Sequence, residues 1–157
     1  MKSNFPVTSN GNPAYAQKGD IGAKGPELWA MLIEKAYAIS EGGYDEIEGG
    51  NPGDAMEILT NKESTTYDPS DYEDAVLLKL LKNFLSKKRA ITASSSSSSE
   101  KKKQAKNAGV VTGHAYILKS VDLSSKTINL HNPWGSKHLN EFSISKFKKY
   151  FYRFQVN

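Results

Sequence analysis

The chain has 157 residues, of which 38% are hydrophobic and 24% charged, a composition that suits one folded domain able to bury a core and argues against wholesale disorder. It contains no cysteine, which excludes a disulfide framework, thiolate metal sites and a cysteine nucleophile supplied by these residues. The net charge of +4 is unevenly spread: residues 1–78 carry −9 and residues 79–157 carry +13.

In chain order, Phe5-Pro6-Val7-Thr8 and Pro13-Ala14-Tyr15-Ala16 read as short extended pieces around the turn Ser9-Asn10-Gly11-Asn12, because Asn-Gly tolerates positive φ between extended runs. Residues 18–26 read as loop. A helix is expected over 27–40, opened by Pro26 and Glu27 and ended by Gly42-Gly43. Leu28, Met31, Leu32 and Ile39 form one apolar stripe and Trp29, Ile33, Ala36 and Tyr37 a second, so this helix needs cover on two faces. A glycine-dense loop with Gly49 and Gly50 follows, then a short helix over 54–59 capped by Asp54. Residues 60–68 read as polar loop. Ser70 and Glu73 fit a capping box for a helix over 71–87, with Leu77, Leu80, Leu81 and Phe84 on its apolar side.

Near Ala90 the periodicity changes from helical to alternating. Ala90-Ile91-Thr92-Ala93 reads as a strand, and the serine run from Ser94 with the lysines after it reads as a mobile loop. Val110-Val111, residues 115–118 and residues 127–130 are β-rich, with a turn over 122–126. A small helix over 143–149 and a closing strand over 150–156 complete the chain. Helices first and antiparallel strands second make an α+β arrangement, divided as a helical part over 1–89 and a β part over 90–157.

The chain holds three histidines. His114 begins one predicted strand, and Asn132 follows the next. Two strands of a hairpin-like pair can bring such positions together, and a histidine so placed is a candidate for proton transfer. A structural histidine and an asparagine in a turn are the plainer alternative.

Gly113-His114-Ala115-Tyr116 and Asn132-Pro133-Trp134-Gly135 resemble papain-like cysteine peptidases, the calpain family in particular. The stretch from Glu27 to Ala38, the triplet Glu48-Gly49-Gly50 and Thr92-Ala93-Ser94-Ser95 are similar to further segments of that family, in the same order. The resemblance implies a papain-like C-terminal portion with an antiparallel, barrel-like subdomain. It implies His114 as general base, Asn132 as the residue that orients it, and Trp134 as the indole that shields the pair. It implies Gly49, Gly50 and Gly113 as backbone positions that hold an extended substrate. The family's nucleophilic cysteine and oxyanion glutamine are expected upstream of the matched residues, so the chain alone is expected to be inactive. Glu27 matches a calcium-ligand position, but Ser136, Lys137 and His138 stand where the family usually has acidic residues, so no cofactor is expected and calcium is disfavoured.

These readings lead to a calpain-like endopeptidase part acting on polypeptide. A catalytically inactive module that binds extended peptide or a protein partner is the alternative. A third reading is a basic surface over residues 79–106 for an anionic polymer, although nucleic acid is disfavoured for want of a recognisable module. Expected partners are a cysteine-bearing complementary chain or a second copy, through helix 27–40. No apolar run nears the ~18 residues of a membrane span and no apolar leader follows Lys2, so no membrane partner and a cytoplasmic setting are expected.

Overall fold

A computed structural model of the chain describes residues 5–14, 21–22, 25–26, 28–47 and 49–157. The chain divides into two compact units, residues 1–50 and 51–157.

In the first unit, Val7 bridges Pro13 in antiparallel fashion, and the Thr8 N–H donates to the Asn12 carbonyl at 2.8 Å. The expected Asn-Gly turn is therefore formed, with Gly11 at φ +76°. Strands β1 (Ile21–Gly22) and β2 (Gly25–Pro26) pair with each other. Helix α1 (Trp29–Glu41) starts two residues after the sequence signal, since Pro26 is spent in β2. Gly42 at φ +106° stops it, and the Gly43 N–H closes back on the Ala38 carbonyl at 2.7 Å. Met31 and Ala38 are buried, whereas Trp29, Leu32, Ile33 and Ile39 are exposed.

The second unit opens with helix α2 (Pro52–Thr60). Its cap is Asn51, whose side chain accepts from the Gly53 N–H, and Pro52 holds the first helical position. Strand β3 (Thr65–Tyr67) lies in what reads as a polar loop. The Ser70–Glu73 capping box does not form. Asp68 instead accepts from the Ser70 N–H at 2.8 Å and its hydroxyl at 2.7 Å, which closes a tight turn over Pro69–Asp71. Those bonds lower the Asp68 pKa. Helix α3 (Asp74–Ser86) then starts later than predicted.

Strand β4 (Ile91–Ser95), helix α4 (Ser99–Asn107), strands β5 (Ala115–Asp122), β6 (Thr127–His131) and β7 (Leu139–Ser143), helix α5 (Ile144–Tyr150) and strand β8 (Phe151–Val156) follow. The sheet is antiparallel throughout, in the order β3-β8-β4-β5-β6-β7. The C-terminal strand thus enters between β3 and β4, pairing Phe154 with both Tyr67 and Ala93. Tyr116, Phe154, Leu77, Leu81, Ile128 and Leu130 are almost fully buried, and each such side chain contributes about 1.5–3 kcal/mol through removal from water.

The expectation of a mobile loop from Ser94 is corrected. Ser94 and Ser95 continue β4 and are 7% and 1% exposed, because β8 and β5 flank them and satisfy their main-chain groups. Val110 and Val111 lie in the irregular segment between α4 and β5 rather than in a strand. Among the described residues no helix is long and apolar enough to cross a membrane.

Candidate active site

Strands β5 and β6 pair Ile117 with His131 and Asp122 with Thr127. Asp122 fixes their turn by accepting from the Ser124 N–H at 2.8 Å, the Ser124 hydroxyl at 2.6 Å and the Ser125 N–H at 3.2 Å. The Ile117–His131 register, continued past the strand ends, sets residue 114 beside residues 132–134. The hairpin is therefore the device that brings the two motifs together.

His114 is held by its main chain. The Ser95 N–H donates to the His114 carbonyl at 2.9 Å, and the His114 N–H donates to Ser95 Oγ at 3.0 Å. Ser95 Oγ lies 2.7 Å from the Val111 carbonyl, to which it donates. Gly113 sits at φ +63° and its N–H donates to the Ser96 carbonyl at 3.3 Å. Glycine is suited to this left-handed position because a Cβ there is strained. The serine run, unremarkable in sequence, is thus the anchor of the histidine.

His114 Nε2 lies 2.9 Å from Asn132 Oδ1, and the Trp134 N–H donates to the same oxygen at 3.0 Å. A backbone N–H can only donate, so it fixes which end of the amide is oxygen. Nε2 must therefore carry the proton and donate, and Nδ1 is the ring's lone-pair nitrogen. The Trp134 indole lies against the imidazole, with centroids 4.4 Å apart and planes at 44°, while its outer side leaves the residue 60% exposed. Tyr116 meets the imidazole edge-on at 5.2 Å. Burial pushes the Tyr116 hydroxyl pKa up, opposed by the hydrogen bond from the Val111 N–H.

Asn132 is wholly buried. Its N–H donates to His138 Nδ1 at 3.1 Å, and the Gly135 N–H donates to its carbonyl at 3.1 Å. Asn132 Nδ2 is buried with no hydrogen-bond partner among the described residues. His138 stacks on His131 at 4.1 Å. Burial first, then charge on His138 and Lys119, lowers the His131 pKa. Sequence reading named Ser95 and His138 but gave neither a part in holding the His114–Asn132 pair; their signals were a hydroxyl continuing a strand and a third imidazole six residues beyond Asn132.

Gly49 and Gly50 belong to the first unit. They are exposed, with φ +95° and +100° and open space where a side chain would stand. Glu27 and Glu48 lie outside the described residues.

The end of the β5–β6 hairpin thus brings together an imidazole, a buried amide and an indole. A family model described as calpain family cysteine protease matches residues 3–147. The chain is 32% identical over 140 residues to the calpain-type cysteine protease DEK1 of Zea mays, covering 85% of this chain and 6% of that protein. It is 29% identical over 121 residues to calpain clp-4 of Caenorhabditis elegans and 28% over 121 residues to calpain-9 of Homo sapiens, each match covering 73% of this chain and 17% of the relative. The chain belongs to the calpain family of cysteine proteases. It spans less than a fifth of the length of these relatives and carries no cysteine.

The family raises calcium, and the donor set after Gly135 does not fit it. Ser136, Lys137 and His138 offer an ammonium and an imidazole where a hard cation needs several oxygens, and Lys137 Nζ lies over the Trp134 ring, 6.0 Å from its centroid. Among the described residues no group of three His, Cys, Asp or Glu side chains could hold a metal ion.

Proposed function

We propose that this chain supplies the histidine–asparagine half of a calpain-type cysteine endopeptidase site, and that the nucleophile comes from outside these 157 residues. The supporting observation is the shared acceptor: Asn132 Oδ1 takes both the Trp134 N–H and His114 Nε2–H. That bond leaves His114 Nδ1 to accept the proton of a cysteine thiol. The resulting thiolate attacks the peptide carbonyl carbon, and the imidazolium returns the proton to the departing amine nitrogen. Water then hydrolyses the acyl thioester. Asn132 is a positioning residue that also stabilises the imidazolium, and Trp134 keeps water from the bond between them, which strengthens it. Calcium has no part in this reading.

The exposed Trp29, Leu32, Ile33 and Ile39 of α1 suit a covering surface, which this reading assigns to the cysteine-bearing segment, with self-association as the competing cover. Gly49, Gly50 and Gly113 are proposed to approach the substrate main chain. The chain's lack of cysteine favours one alternative, an inactive peptidase-like module that binds extended peptide or a protein partner. The test is to add a calpain-type cysteine-bearing half to the purified chain and follow cleavage of an unstructured protein. Cleavage that requires both chains and is lost in His114→Ala supports the first reading. Binding of the substrate without cleavage under any complementation supports the second.

A further inference from the structure

A cavity of about 720 Å³ opens among α4, the segment leading to Gly113, the loop after Trp134 and β7. Lys102, Lys106, Lys137 and Lys146 line it with a single carboxylate, Glu141, and none of these lysines forms an ion pair with a described residue. Val110, Leu139 and Phe142 are buried and contribute apolar lining. Its walls run directly into the candidate pair. Val111 and Thr112 precede Gly113 and His114 in the chain, and His138 accepts from the Asn132 N–H at 3.1 Å.

We infer that this cavity docks an acidic, leucine-bearing stretch of polypeptide. This rests on the peptidase reading above in one respect only: it makes the stretch part of the substrate, on one side of the bond cleaved. Four cations against one anion select negative charge. The lining contains no arginine, so it has no planar fork for gripping phosphate two oxygens at a time; separate ammonium groups suit carboxylates spread along a chain. Val110, Leu139 and Phe142 place apolar atoms between the ammonium groups, a lining that suits aliphatic side chains such as leucine.

The test is fluorescence anisotropy of a labelled peptide, Glu-Leu-Glu-Asp-Leu-Glu, with the full chain at low and at physiological salt. The Gln/Asn isostere serves as comparison. The acidic peptide is expected to bind more tightly, and Lys106→Glu with Lys146→Glu should weaken it about tenfold, as exposed charge pairs of modest individual strength predict. Lys106→Gln with Lys146→Gln should give a smaller loss in the same direction. Lys79→Glu on α3, outside the cavity, should change little. Equal binding of the isostere, no response to the lysine variants, or full displacement by inorganic phosphate or by phosphatidylserine vesicles at matched charge would overturn the assignment. The binding measurement needs no cysteine, so it fails or succeeds independently of the His114–Asn132 reading. In a complemented enzyme, acidic peptides cleaved no faster than their isosteres would overturn the substrate role.

Discussion

Replacing Ser95 by alanine removes one hydroxyl and leaves two main-chain groups without their partner. The His114 N–H loses its acceptor at 3.0 Å and the Val111 carbonyl loses its donor at 2.7 Å, at a site where Ser95 is 1% exposed. The Ser95 N–H to His114 carbonyl bond of 2.9 Å survives, so the strand pairing itself remains. An unsatisfied buried donor or acceptor costs about 1–3 kcal/mol, and partial rehydration at the open end of β5 reduces the sum. The expected destabilisation is about 3 kcal/mol, a large share of a typical folding free energy. With a urea slope of about 1–3 kcal/mol/M it lowers the unfolding midpoint by about 1–3 M. Urea unfolding followed by circular dichroism reads this directly. Ser97→Ala, at an exposed position with no side-chain bond among the described residues, is the control and should move the midpoint little. A Ser95→Ala loss below about 0.5 kcal/mol, or one equal to the control, would refute the claim that this hydroxyl anchors the histidine strand.

Gly113→Ala forces an L side chain to φ +63° and should cost about 1 kcal/mol, read by the same unfolding assay. His138→Leu removes the acceptor for the Asn132 N–H; stability should fall by about 1–3 kcal/mol, and the His114 side-chain NMR signals should shift although His114 is untouched. The Asp122 pKa is held at about 2, chiefly by the Ser124 hydroxyl. The stability from its turn bonds is therefore fully present above the ordinary carboxylate pKa of about 4 and is lost as pH falls through about 2, and carboxyl NMR titration should place Asp122 below the other aspartates. The His131 imidazole should titrate below the ordinary histidine range, because burial disfavours its charged form. Its contribution to stability is full above about pH 6.5 and declines as pH drops.

Local signals carried well wherever partners are close in sequence. The β5–β6 hairpin was legible from two alternating runs and an Asp-Ser turn, and with it the meeting of His114 and Asn132. Helix α1 was legible from its glycine stop, though its start was obscured by Pro26, which serves a strand as readily as a helical first turn. Strands β3 and β7 were missed because both are short edge strands whose order comes from β8 and β6, and β7 is distorted at Glu141, with φ +49°. The serine run was misread because low complexity says nothing of the neighbours. Its first two residues are ordered by Arg153 and Phe151 of β8, some 60 positions away. The support that His138 gives Asn132 depends on the loop's path after Trp134, which no periodicity encodes.

The central claim is that His114, oriented by Asn132, completes a cysteine peptidase site whose nucleophile lies outside these residues. Its most direct test is turnover of an unstructured protein by the purified chain, alone and with a calpain-type cysteine-bearing half. The account predicts no cleavage by the chain alone, since loss of the nucleophile from such a set costs about 10⁶-fold, and thiol-reagent-sensitive cleavage on mixing that disappears in His114→Ala. Cleavage by the chain alone that is lost in His114→Ala and indifferent to thiol reagents would contradict it.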